Sequence, residues 1–191
     1  LIYLVRHGQT VFNAEGRLQG HVDSPLTEVG QAQARRVGRL MKQLIGGPAG
    51  WRLVSSPLMR AQATASAISE ALGIPIETHP ELIEVSFGAW DGRLRSDLQV
   101  EFPDTFGPTG YRFASPDCEP YEAVVERLSA WLGRLEPEED RRIIAVSHGV
   151  TGRVLRGLYG GLPRETALAL EVPQDAAFRL SQGRIEQFDA P

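Results

Sequence analysis

A chain of 191 residues, 42% hydrophobic and 23% charged, has the make-up of one globular domain and buries a core without disulfides or metal. Its net charge of −4 excludes the basic footprint that nucleic acid or an anionic membrane selects, so positive charge for an anionic substrate has to be local. A lone cysteine, Cys118, forms no intrachain disulfide and fits a reducing, cytoplasmic setting. No apolar run reaches the ~18 residues of a membrane span. No signal-type segment is found, and a leader removed ahead of Leu1 stays open.

"LIYLV" is predicted as a buried strand, and it runs without a turn into Arg6, His7 and Gly8. "TEVGQAQARRVGRLMKQLIGG" has helical spacing in Val37, Leu40, Met41 and Leu44, with Thr27 as N-cap and Gly46 and Gly47 as the stop. "WRLVSS" is a short strand. It leads into "SPLMRAQATASAISEALG", a helix expected to be capped by Ser56 with Pro57 in its first position. Ala61, Ala65, Ile68 and Leu72 form its apolar face, and Gly73 ends it.

Residues 74–118 are rich in Pro, Gly and aromatics and are expected to form a flap over a site. Phe87, Trp90, Phe102, Phe106, Tyr111 and Phe113 are available to pack it. "EPYEAVVERLSAWLGRL" is an amphipathic helix with Tyr121, Val124, Leu128 and Trp131 on one stripe. "RRIIAVSHG" is a second buried strand, followed by the helix "VTGRVLRGLYG", whose Arg153 and Arg156 read as a solvated face. "ALALEV", "AAFRLS" and "RIEQF" are taken as late strands, with a tight turn at Gln182-Gly183. Alternating strands and helices predict an α/β fold: a three-layer α/β/α sandwich with a mainly parallel sheet. One domain spans 1–191, with the flap over the C-terminal ends of the strands.

In such sheets the ligand crevice lies beyond the carboxyl ends of the strands. Taken alone, Arg6 and His7 are no more than a polar strand end. A second strand, however, ends in Ser147, His148 and Gly149, and the helix starting near Gly149 offers backbone N–H groups to an anion. Arg60 follows a third strand and faces the same crevice if that strand lies beside the first. Two arginines and two histidines in one crevice suit a phosphate dianion, because the guanidinium fork binds phosphate oxygens in pairs.

"LVRHGQTVFN", "QGHVDSPLTEVGQAQA", "SSPLMRAQATA", "ELIEVSFGAWDG" and "VSHGV" occur in this order over almost the whole chain. Together they resemble the histidine phosphatase superfamily in its phosphoglycerate mutase-like branch. The resemblance implies that His7 is the nucleophile that becomes phosphohistidine. Arg6, Arg60 and His148 would be the phosphate clamp and Glu84 the proton donor. Asn13, Gln19 and Gly20 would be loop positions lining the pocket. Thr10 and Gly149 are further substrate-binding candidates. His21 stands either at the pocket or on the loop around it, and His79 reads as an exposed loop residue. Trp90 and Tyr111 read as core.

The chemistry is coherent on its own terms. A neutral imidazole of the right tautomer attacks phosphorus, and clamp cations stabilise charge on the phosphoryl oxygens. A carboxylic acid then protonates the leaving alkoxide and later deprotonates the attacking water. Burial near Phe87 and Trp90 would raise the pKa of Glu84 for that task; Glu81 is its rival in sequence.

A cysteine phosphatase needs Arg six positions beyond its cysteine, where Cys118 has Val124. The four histidines are scattered, unlike the ligands of a metal hydrolase, so no metal or other cofactor is expected. The expected partner is a small phosphorylated substrate. A cofactor-dependent phosphoglycerate mutase is the first alternative; a non-catalytic phospho-ligand module is the second. Mutases of the family carry a longer, basic insertion ahead of the second histidine. Here that stretch is short and has no basic run for a second acidic group, which favours a phosphatase. "DCEPYEAVVERL" departs from the Gly-Glu-Ser pattern of phosphatase relatives, with Glu119 still in register. Sugar phosphates, phosphoglycerates, α-ribazole phosphate or a broad set of monoesters all remain candidate substrates. Oligomeric state, a homodimer included, is not written in the sequence.

Overall fold

Residues 1–105 and 110–191 are described by the computed structural model, and Phe106 lies outside them. In chain order the elements are β1 (Ile2–Arg6), α1 (Val11–Glu15), α2 (Glu28–Ile45), β2 (Arg52–Ser55), α3 (Met59–Leu72) and β3 (Ile76–Thr78). Then come α4 (Arg95–Glu101), α5 (Tyr121–Gly133), β4 (Ile143–Ser147), α6 (Gly149–Gly160), α7 (Arg164–Ala169), β5 (Ala176–Ser181) and β6 (Arg184–Asp189). Short 3-10 turns lie at Pro80–Leu82, Gly88–Trp90 and Gly110–Phe113.

The six strands form one sheet in the order β3-β2-β4-β1-β5-β6. β3, β2, β4 and β1 run parallel, β5 runs antiparallel to β1, and β6 runs antiparallel to β5. The central strands are covered on both faces, which is why "IYLV" and "IIAVS" are unbroken apolar runs. Alternation along β1 sends Ile2 and Leu4 to one side, where they pack with Val124, Leu128, Trp131, Val154 and Leu155 of α5 and α6. Tyr3 and Val5 point the other way, to Val37, Leu40 and Met41 of α2 and Ala61, Ala65 and Ile68 of α3. This is the expected three-layer sandwich.

Thr27 caps α2 by accepting from the Gly30 N–H at 3.0 Å. Residues 182 and 183 turn between β5 and β6 with φ of 52° and 70°, the left-handed pair that a two-residue hairpin needs. Three expectations change. α3 starts at Met59 without a side-chain cap; the Ser56 Oγ accepts from the Leu58 N–H at 3.3 Å, ahead of the first turn. "ALALEV" is not a strand: Pro163 precedes the short helix α7, which buries Ala167 and Leu168. β3 belongs to the sheet, so the part of 74–118 that reaches the crevice begins after it. Among the described residues, no helix is long and apolar enough to cross a membrane.

Candidate active site

Parallel pairing of β1 with β4 sets Arg6 opposite Ser147, and the His7 N–H donates to the Ser147 carbonyl at 3.0 Å. The two His-Gly strand ends therefore stand side by side, with ring centroids of His7 and His148 5.1 Å apart. β2 is not beside β1, the condition under which Arg60 was placed in the crevice; β4 lies between them. Arg60 still lines the cavity beyond the strand ends, together with Arg6, His7 and Glu84. It donates to the Gly20 carbonyl at 2.7 Å and pairs with Asp23 at 2.8 Å.

His7 is 2% exposed. Its Nδ1 lies 2.8 Å from the Gly8 carbonyl, which only accepts, so Nδ1 carries the proton and Nε2 keeps its lone pair. Burial, then the Arg6 and Arg60 charges, hold its pKa well below the usual histidine value. His148 is held low in the same way, by burial first and then by Arg60. Its Nε2 is 2.7 Å from the Ser56 Oγ. Arg6 donates through Nη1 to the Val172 carbonyl at 2.7 Å, and burial lowers its pKa to about 10. Arg6 Nε, Arg60 Nε and His148 Nδ1 are buried with no hydrogen-bond partner among the described residues. Each such group costs about 1–3 kcal/mol, a cost that an anion with several oxygens relieves.

The cavity encloses about 260 Å³. Glu84 is the one carboxylate among its described lining residues, against six arginines: Arg6, Arg17, Arg60, Arg95, Arg112 and Arg153. The local positive charge absent from the overall balance is here. Glu81 pairs with Arg134, and Glu119 with Arg127 at 2.7 Å; neither lines the cavity. Glu84 Oε1 accepts from the N–H groups of Val85 at 3.0 Å and Thr151 at 2.9 Å, and Oε2 from Val150 at 3.1 Å. The Thr151 hydroxyl lies 3.0 Å from Oε1. Two N–H groups at the start of α6, expected to meet the substrate, thus hold the carboxylate instead, while Gly149 itself lines the cavity.

Asn13, Gln19 and Gly20 reach the cavity wall, and Thr10 and His148 do not. Thr10 is fully buried. It caps α1 and donates to Gln19 Oε1 at 2.7 Å. His21 is exposed, and its Nε2 donates to the Glu84 carbonyl at 2.8 Å. His79 is half-buried rather than free, accepting from the Trp131 indole N–H at 2.9 Å. Trp90 and Tyr111 pack in the core, and Tyr111 also touches the cavity.

Sequence reasoning missed Ser56, Gln174 and the outer arginines. Gln174 donates to the His7 carbonyl at 3.2 Å and to Asn13 Oδ1 at 2.9 Å. Arg153 is not on a solvated face: it lines the cavity, four positions after Gly149 on the same side of α6. That spacing was a usable signal. Arg156 is 3% exposed, 3.9 Å from the centre of the Phe178 ring. Among the described residues, no group of three or more His, Cys, Asp or Glu is placed to hold a metal ion.

A family model described as the histidine phosphatase superfamily (branch 1) matches residues 2–184. A curated relative from Yersinia pestis, a probable phosphoglycerate mutase, is 35% identical over 168 residues, covering 85% of this chain and 75% of its own. The solved structure of a mycobacterial glucosyl-3-phosphoglycerate phosphatase complexed with VO3 superimposes with a TM-score of 0.81 at 27% identity. It covers 100% of this chain and 98% of its own. A putative α-ribazole-5′-P phosphatase from Escherichia coli gives 0.79 at 28% identity, over 99% and 95%. A match that runs from the first strand into the last, in sequence as in fold, makes this chain a member of the histidine phosphatase superfamily.

Proposed function

We propose that the protein is a metal-independent phosphomonoesterase that works through a phosphohistidine on His7. One observation carries this: the Nδ1 contact to the Gly8 carbonyl leaves the His7 Nε2 lone pair free in a cavity that Arg6 and Arg60 also line. In the first step the Nε2–P bond forms as the P–O ester bond breaks. Arg6 and Arg60 take the charge of the phosphoryl oxygens, and we assign His148, set behind the lining beside His7, as a further neutral donor through its Nδ1, unpartnered among the described residues. Glu84, in its acid form, gives its proton to the leaving alkoxide. Oε1 accepts two backbone N–H groups and Oε2 accepts one, so Oε2 is the oxygen with more room for that proton. Water then attacks phosphorus, Glu84 takes its proton, and phosphate leaves. Asn13, Gln19, Gly20 and Gly149 frame the substrate, and Thr10 holds the segment that carries the first three. The setting we assign is cytoplasmic.

The relative described as a probable mutase supports a second reading, phosphoryl return to the product at another hydroxyl. The experiment is a panel of phosphate monoesters given to purified protein in chelator. Phosphate release that His7→Ala abolishes is expected. A rapid quench should trap phosphoenzyme that is stable to base and labile to acid. Isomerisation of a phosphoglycerate without phosphate release would install the mutase reading instead. Binding without turnover would leave a phospho-ligand module.

A further inference from the structure

Resting on the phosphatase reading of the cavity, we propose that Gln174 is a positioning residue: it sets the Asn13 side-chain amide so that Nδ2 serves the bound phosphoryl group. Nothing in "EVPQDAA" marks this glutamine, and its partners stand 167 and 161 positions away. The His7 carbonyl only accepts, so the atom 3.2 Å from it is the Gln174 Nε2. Both hydrogens of that nitrogen are then spent, one on His7 and one on Asn13 Oδ1 at 2.9 Å. Asn13 Oδ1 also accepts from the Thr10 N–H at 3.3 Å. With two donors on its oxygen, the amide has one orientation. Nδ2 lies on the other side and gives one hydrogen to Gln19 Oε1 at 3.2 Å. That oxygen is fixed as an acceptor by the Thr10 hydroxyl at 2.7 Å. An amide nitrogen carries two hydrogens. The second is what Asn13, a lining residue of the cavity, has to offer an anion. A turned-over amide would set Oδ1 against Gln19 Oε1 and against the anion, oxygen to oxygen in both places. Gln174 disfavours that state.

A donor that orients another amide must itself be held. The Leu170 carbonyl accepts from Arg153 Nε at 2.6 Å, the Glu171 carbonyl from Arg156 Nη2 at 2.5 Å and the Val172 carbonyl from Arg6 Nη1 at 2.7 Å. Three consecutive carbonyls are thus tied to α6 and β1. Pro173 follows with its φ fixed by the ring, and Asp175 pairs with Arg36 of α2 at 3.3 Å. The segment between α7 and β5 is a strap held on both sides of Gln174. The charged donor Arg6 and the neutral donor Asn13 take their bearings from this one strap. Gln174 is only half-buried, so replacing it leaves the core in place.

The test uses inorganic phosphate as the probe, titrated into ¹⁵N-labelled protein. Gln174→Met keeps the length of the side chain and removes the donor; Gln174→Ala is the second variant should methionine not pack. The Asn13 side-chain amide signals are identified by their loss in Asn13→Ala. In wild type they should shift as phosphate binds, and in Gln174→Met that shift should shrink. Phosphate affinity should fall about 10-fold in Gln174→Met, the scale of one hydrogen bond to a charged group. In an Asn13→Ala background the same change should cost less than about 2-fold, because the two residues act as one unit. An undiminished loss in that background, or an Asn13 shift unchanged by Gln174→Met, would overturn the proposal and leave Gln174 a plain staple of the strap. Wild-type protein that binds no phosphate would overturn it too. Phosphate binding without turnover of any ester would sink the phosphatase reading alone and leave the comparison of variants decisive.

Discussion

Glu84 makes its contribution through one carboxylate in contact with two elements at once, the start of α6 and the cavity. Glu84→Gln keeps the shape and removes the proton, a loss of roughly 10²–10⁴-fold where proton transfer limits the step. The loss should follow the leaving group. An alkyl ester expels a basic alkoxide, whereas p-nitrophenyl phosphate expels a weakly basic phenolate. Rapid-quench phosphorylation of the variant should be crippled with the first and only mildly slowed with the second. Equal defects would mean that Glu84 positions rather than protonates, and would move attention to Glu81 and Glu119. At this scale the sequence was informative wherever an apolar run stopped on a polar residue followed by histidine. Arg6-His7 and Ser147-His148 declare themselves in that way. Ser56 did not, because a serine before proline and a helix is read as a cap, and only the folded chain shows its hydroxyl turned to His148. Arg95, at the start of the short helix α4, and Arg112, in a 3-10 turn, were silent because neither element is long enough to give a period to count.

At the scale of elements, the loop after β1 is pressed against the first turn of α2. A Cβ on Gly8 would stand 2.3 Å from the Gly30 carbonyl oxygen, and one on Gly30 would stand 1.9 Å from the Gln9 carbonyl oxygen. The same loop is tied by the Gly8 N–H to Thr64 at 3.0 Å and the Gln9 N–H to Gln33 at 2.8 Å. Two effects compete in Gly30→Ala. Helix propensity favours alanine by ~1 kcal/mol. The backbone clash disfavours it by ~1–3 kcal/mol or more, and at 1.9 Å the clash wins. We expect Tm to fall by several degrees, at ~2–4 °C per kcal/mol for this size, and kcat to fall with it as the His7 loop is displaced. A variant with wild-type Tm and turnover would show that the packing yields freely. The long elements were legible because their apolar spacing is regular, as in α2 and α5. "ALALEV" was misread because six residues are too few to separate a strand from a helix, and Pro163 ahead of them was the overlooked cue.

The molecule as a whole joins a net acidic chain to a cationic cavity, and the two buried imidazoles make its stability depend on pH. Both have folded pKa values well below the ordinary value of about 6.5. Above that pH, the folded and unfolded chains alike leave them neutral. Below it, the unfolded chain binds protons that the folded chain refuses, so stability falls as pH drops toward the folded values. The slope approaches about 1.4 kcal/mol per pH unit for each histidine. Urea unfolding in phosphate-free buffer between pH 7.5 and 5.5 should show this decline, and the His7→Asn/His148→Asn double variant should flatten it. A double variant as steep as wild type would place the proton uptake elsewhere. The strand order has a temporal consequence as well. β1 has β4 and β5 as its neighbours, and both are made after α5. During synthesis the first strand therefore waits, unpaired and apolar, while most of the chain emerges. Gln174 closes the circuit to His7 across 167 positions. Such distant pairings put the protein among slower folders, whose early intermediates expose hydrophobic surface. Until β4 slides between β1 and β2, a nascent chain carries His7 with neither the Ser147 carbonyl that takes its N–H nor His148 beside it.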